Sequence, residues 1–173
     1  MTARYTLQAI NALDQEGFTA ALGGIFERSP WVASETWRAR PFASLDALHQ
    51  ALCAAVAAAP TERQVALIRA HPDLAGRAAI AGELTAESTR EQASAGLDRL
   101  TPEEYAAFTR LNSAYRERFG FPFVICVREH TKESILAQFA ARLQNERAAE
   151  IETALGEISK IARLRLYDLV RFA

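Results

Sequence analysis

Cysteine is scarce in this chain of 173 residues: only Cys53 and Cys126 occur, far apart and in no metal-ligand spacing. That excludes a disulfide framework and a zinc module, and it fits a reducing compartment. Glycine and proline are sparse too, at 8 and 6, which argues against a many-turned β protein, while abundant Ala and Leu favour helices. No charge of one sign dominates. With 20 Lys+Arg against 21 Asp+Glu, net −1, the basic excess usual in a nucleic-acid binder is missing. Long hydrophobic runs are missing as well. The longest apolar stretch, Ala51 to Ala59, falls well short of the ~20 residues that span a bilayer. Met1 to Gln15 carries Arg4, Asn11 and Asp14 and so does not read as a signal peptide. The closing Arg171-Phe172-Ala173 is no peroxisomal address. The expectation is one soluble, cytoplasmic domain with no nucleic-acid or membrane partner.

What the chain does have is helical punctuation. Ser44 can cap a helix whose apolar positions Leu45, Leu48, Leu52 and Val56 share one face, and Pro60 ends it. Thr61-Glu62-Arg63-Gln64 reads as a capping box opening the next helix. That helix should stop near Ala70, because His71 precedes Pro72 and is pushed out of the α region. A second box, Ser88-Thr89-Arg90-Glu91, predicts a helix to about Leu97. A third, Thr101-Pro102-Glu103-Glu104, opens a helix with Tyr105, Phe108, Leu111, Tyr115 and Phe119 inward and Gly120 as its left-handed terminator. Two further helices follow, one lined by Ile135, Leu136, Phe139 and Leu143 and one by Ile151, Leu155, Ile158, Ala162, Leu166 and Val170.

One segment breaks the pattern. Phe121-Pro122-Phe123-Val124-Ile125-Cys126-Val127 is aromatic and β-branched, with residues that prefer extended geometry. Its backbone groups have no evident sheet partner; if buried they need other partners, and a ligand is one possibility. The fold class expected is all-α: a single-domain multi-helix bundle with one short extended segment near residues 121–127.

Single residues do not decide the chemistry. His49 falls at the edge of an apolar helix face and reads as structural; His130 reads as a solvated loop residue. His71, held on a turn by Pro72 with Asp73 nearby, could project into a cleft as a general acid or base. A histidine simply sitting at a helix C-terminus explains its position at least as well. Glu91 could serve only to bond back to the backbone of Ser88. The same helix start could instead bind an anionic or carbonyl-bearing ligand. Arg142 reads either as a snorkelling side chain paired with Glu146 or as a fork for a planar carboxylate or urea-like group.

Taken in order, the motifs are more specific. His71-Pro72-Asp73-Leu74-Ala75-Gly76, Ser88-Thr89-Arg90-Glu91-Gln92-Ala93-Ser94-Ala95-Gly96-Leu97, Leu111-Asn112-Ser113-Ala114-Tyr115 and Phe119-Gly120-Phe121-Pro122-Phe123-Val124-Ile125 follow one another along the chain. Arg142-Leu143-Gln144-Asn145 and Ile161-Ala162-Arg163-Leu164-Arg165-Leu166 come after them. This series resembles the OHCU decarboxylase family (2-oxo-4-hydroxy-4-carboxy-5-ureidoimidazoline decarboxylases of urate degradation). The likeness runs from about Leu7 to Val170, with the first 40 residues matching only in helical pattern.

The resemblance implies an all-helical fold, a homodimer, a small-molecule substrate, (S)-allantoin as product, and neither metal nor organic cofactor. It implies that His71 is the catalytic proton donor and that Glu91 is the acid working beside it. Pro72, Ser88, Thr89, Arg90 and Gln92 would contact substrate, as would Phe123, Val124, Ile125, Cys126 and Val127. Phe121 would pack against the substrate ring, and Arg142 would be the substrate-binding arginine. Two alternatives stay open: an enzyme of the same fold acting on a related ureido heterocycle, and a non-enzymatic helical interaction module.

Overall fold

A computed structural model describes residues 4–76, 79 and 81–172. In chain order its elements are β1 (Tyr5–Thr6), α1 (Leu7–Ala12), α2 (Gln15–Leu22), α3 (Trp31–Thr36), α4 (Leu45–Ala58) and α5 (Thr61–Arg69). There follow α6 (Ala86–Ser94), α7 (Pro102–Phe119), α8 (Lys132–Arg142), α9 (Arg147–Leu169) and β2 (Val170–Arg171). Turns of 3-10 helix occupy Trp37–Ala39 and Val127–Glu129. The chain is mostly helical and divides into two compact units: Met1–Ala70 with Ser159–Ala173, and His71–Ile158. Among the described residues no single helix is long and apolar enough to cross a membrane.

In the first unit Ile10, Phe18, Leu48, Leu52, Ala162 and Leu166 lie in the core. Ser44 caps α4 as expected, its hydroxyl accepting the Ala47 N–H at 3.0 Å. The box expected at Thr61 does not form: Pro60 holds the cap position and makes no side-chain bond. Gln64 instead donates to the Val56 and Ala57 carbonyls at 3.0 and 3.3 Å, satisfying orphan acceptors at the end of α4. A second correction concerns the sheet. β1 and β2 pair in parallel, Tyr5 with Val170 and Thr6 with Arg171, where the sequence pattern carries helix through to Val170. Strands of two residues are too short to show alternation.

The second unit is built around α7. Both halves of its capping box are present: Thr101 N–H to Glu104 at 2.9 Å and Glu104 N–H to the Thr101 hydroxyl at 3.2 Å. Gly120 ends it at φ 78°, a conformation that costs glycine little. Its buried stripe is Phe108, Asn112, Tyr115 and Phe119. Against this stripe lies the segment of residues 121–127, wholly buried and outside any strand. Phe123 stacks on Phe139 with centroids 3.7 Å apart and meets Tyr115 edge-on at 5.3 Å. Phe121 stacks on Phe119 at 6.0 Å.

Candidate active site

Every residue singled out from the sequence as catalytic or substrate-contacting falls in the second unit. His71 follows α5, which ends at Arg69 with Ala70 as cap, so proline at 72 stops the helix where expected. The histidine is buried, at 6% exposure.

The loop after it is held by side chains from two helices. From α6, Gln92 accepts the Ala75 N–H at 2.9 Å and donates to the Asp73 carbonyl at 3.3 Å. From α7, Asn112 donates to the Leu74 carbonyl at 2.8 Å, and Arg116 donates to the Asp73 carboxylate at 2.8 Å. Ala75 sits at φ 51°, a left-handed conformation that costs a residue with a Cβ roughly 1–2 kcal/mol. The bonds at Asp73, Leu74 and Ala75 offset that strain and hold the loop in one shape.

α6 begins a turn earlier than expected. Thr85 is its cap, accepting the Ser88 N–H at 3.3 Å, and the helix stops at Ser94 instead of Leu97. Ser88 is therefore inside the first turn and its N–H is spoken for, as is that of Thr89, bonded to the Thr85 carbonyl at 2.9 Å. This corrects the reading of Ser88 as a helix start with free N–H groups. It also removes the capping role from Glu91, which lies in the second turn. Ser88, Glu91 and Gln92 share one face by their i, i+3, i+4 spacing. Ser88 and Gln92 are buried and Glu91 is half-buried, whereas Thr89 and Arg90 face solvent. Arg90 pairs there with Glu87 at 3.2 Å. α6 packs against the Val127–Glu129 turn, which brings this helix beside the buried segment.

The backbone of that segment has protein partners. Cys126 N–H donates to Glu157 at 2.8 Å, and the Val124 carbonyl accepts from Arg142 at 2.8 Å. Arg142 is not a rim residue paired with Glu146. It is 5% exposed, its Nε donates to Glu150 at 3.0 Å, and its guanidinium lies 4.4 Å over the Phe123 ring. Glu150, fully buried, also accepts from Asn145 at 2.7 Å and from the Tyr115 hydroxyl. Burial, with the Glu150 bond added, pushes the Tyr115 phenol well above its ordinary value. Arg142 thus fixes the Val124 carbonyl, and the rings of Phe121 and Phe123 are fully buried in the aromatic core.

Neither remaining histidine joins this group. His49 Nε2 lies 2.9 Å from the Ser159 carbonyl in the first unit, the structural role expected of it. His130 Nδ1 lies 3.1 Å from the Ser134 hydroxyl and is half-buried. The sequence reading quoted Asn112 only within a motif, giving it no role, and passed over Glu150 and Glu157. Asn112 carries one signal, lying four residues after Phe108 and three before Tyr115 on an aromatic helix face; Glu150, with Glu146, Arg147 and Thr153 as helical neighbours, carries none.

A helical scaffold that clamps a histidine loop onto a carboxylate-bearing helix, beside a buried extended strip, has the parts of an acid–base enzyme for a small molecule. The model of the OHCU decarboxylase family matches residues 11–167, and the chain belongs to that family. It is 45% identical over 166 residues to the 2-oxo-4-hydroxy-4-carboxy-5-ureidoimidazoline decarboxylase of Halalkalicoccus jeotgali, covering 96% of this chain and 92% of that one. The protein of the same name from Haloferax volcanii is 47% identical over 163 residues, 94% of this chain and 95% of that one. Among solved structures, an (S)-allantoin synthase superposes with TM-score 0.76 at 29% identity over 96% of this chain. The chain spans about half, 54%, of that synthase.

Proposed function

We propose that this protein is a carboxy-lyase that converts 2-oxo-4-hydroxy-4-carboxy-5-ureidoimidazoline to (S)-allantoin in urate degradation. Loss of CO₂ leaves an electron pair on the ring carbon, which the conjugated ring delocalises. The protein has to hold the carboxylate out of the ring plane and deliver one proton to one face. His71 takes the proton of the adjacent hydroxyl or gives one to the carbon, and Glu91 orients the imidazole and shares its charge. A positioned acid or base of this kind contributes roughly 10²–10⁴-fold.

One observation supports the pairing most: Gln92, next to Glu91, bonds both Asp73 and Ala75 in the loop that starts at His71. The amide thereby ties the histidine loop to the turn of α6 that carries the carboxylate. Pro72, Ser88, Gln92 and the main chain of Phe123, Val124, Ile125, Cys126 and Val127 are the groups we assign to the ring and ureido substituent. Thr89 and Arg90 flank these groups on α6 with their side chains exposed, and we assign them no direct bond to the substrate. Phe121 shapes the site from the core behind it, and Arg142 acts by aiming Val124. The enzyme works as a cytoplasmic homodimer, which light scattering of the eluted protein tests for assembly.

The reaction is tested by supplying freshly generated substrate and following the optical activity of the allantoin formed. A rapid build-up of the (S) form only with protein is expected. Equal formation of racemic product with and without protein would overturn the assignment.

A further inference from the structure

We infer that Asn112 is a positioning residue for His71, acting through its hydrogen bond to the Leu74 carbonyl; this rests on the catalytic reading of His71 above. In the buried α7 stripe Phe108, Asn112, Tyr115 and Phe119, Asn112 is the one residue without an aromatic ring. An apolar side chain there would pack without cost, whereas a buried amide must find partners. Its Nδ2 has found one in the loop, and its Oδ1 has none among the described residues. As core filling the amide is a poor choice. As an anchor for the backbone three residues beyond His71 it makes sense.

The three side chains holding this loop are not equivalent. Arg116 and Asp73 are 45% and 29% exposed, and solvent-screened pairs of this kind contribute little. Gln92 is itself assigned to substrate, so its replacement would mix two effects. The Asn112 bond is buried, at 6% exposure, where a hydrogen bond is stronger and its loss less easily made good by water. Pro72 fixes one of the torsions between the histidine and the anchored residue, which reduces the freedom of the loop to absorb a shift at Leu74 before it reaches the imidazole. With the anchor gone, Ala75 at φ 51° has reason to relax and carry the loop with it. Misplacing a catalytic group by about 1 Å can cost ~10²-fold.

The test is Asn112→Asp, which keeps size but sets a carboxylate oxygen against the Leu74 carbonyl, with Glu117→Gln on the exposed face of the same helix as comparison. For folded Asn112→Asp, kcat should fall between about tenfold and ~10²-fold with KM little changed, while Glu117→Gln stays near wild type. A purely structural role would lower the melting temperature and leave kcat of the folded protein untouched; that result overturns the inference. The same substitution is then made in a His71→Asn background. If Asn112 acts through His71, it adds little there, and an equal further loss would also overturn the inference. A His71→Asn variant of wild-type rate would instead remove the catalytic reading itself. Should Asn112→Asp fail to fold, Asn112→Gln, which keeps the amide but displaces it by a methylene, gives the same readout.

Discussion

Replacing Arg142 with methionine removes the cation from a site that is 6% exposed on the arginine side and 0% on the Glu150 side. The methionine chain can occupy much of the space over Phe123, so lost volume is a minor part of the effect. The major part is Glu150, left as a buried carboxylate with Asn145 and Tyr115 as the donors that remain. Removing one partner of a buried ion pair typically costs about 3–5 kcal/mol. The Val124 carbonyl, which accepts from Arg142 at 2.8 Å, loses its donor too, worth about 1–3 kcal/mol where no water replaces it. At about 2–4 °C per kcal/mol for a chain of this size, the melting temperature should drop by at least ~6 °C, followed by circular dichroism. A double variant, Arg142→Met with Glu150→Leu, should recover part of the loss, because no buried charge is then stranded. A single variant within about 1 kcal/mol of wild type in urea unfolding would refute the claim that this pair holds the segment in place.

Two further outcomes follow from the same structure. Tyr115→Phe removes one hydrogen bond to Glu150 while keeping the ring against Phe119 and Phe123. It should cost about 1.5–3 kcal/mol, the range for a bond to a charged group, and thus less than Arg142→Met in the same urea assay. His49 has its pKa raised, chiefly by the hydrogen bond with Cys53, with the Ser159 carbonyl adding to it against burial. A group whose folded value is raised adds stability that is complete below its unfolded value of ~6.5 and is lost as pH rises through the folded value. The destabilisation in His49→Gln should therefore be largest on the acid side of neutrality and shrink as pH rises; a cost that grows with pH would contradict it.

Much of the scaffold is legible in the sequence because its helices carry their own termini. Ser44, Thr101 and Gly120 act through neighbours three or four residues away, so their effect is written locally. Overlapping signals are harder. Thr85 and Ser88 are both good caps three residues apart, and pattern alone does not decide that Thr85 is used and Ser88 is inside the helix. Gln64 misleads for another reason: its amide serves as a donor across the Pro60 break, to carbonyls at the end of α4, where a capping box would use it as an acceptor at its own helix start. The Arg142 partnership depends on the turn between α8 and α9, which brings Glu150 closer to the guanidinium than Glu146. The motif positions of the site, Gln92 and Asn112 among them, are readable, but the clamping of the histidine loop by their amides is not. Asn112 and Gln92 meet backbone 38 and 17 residues away, and no periodicity records such distances.

The central claim is that His71 moves the proton in decarboxylation. It is tested most directly by comparing the single-turnover rate of freshly generated substrate with wild type and with His71→Asn, both shown to be folded by matching melting curves. The account predicts a rate lower by about 10²–10⁴-fold in the variant and loss of the excess of (S)-allantoin. A folded His71→Asn protein that decarboxylates within twofold of wild type, with the same stereochemical outcome, would contradict it.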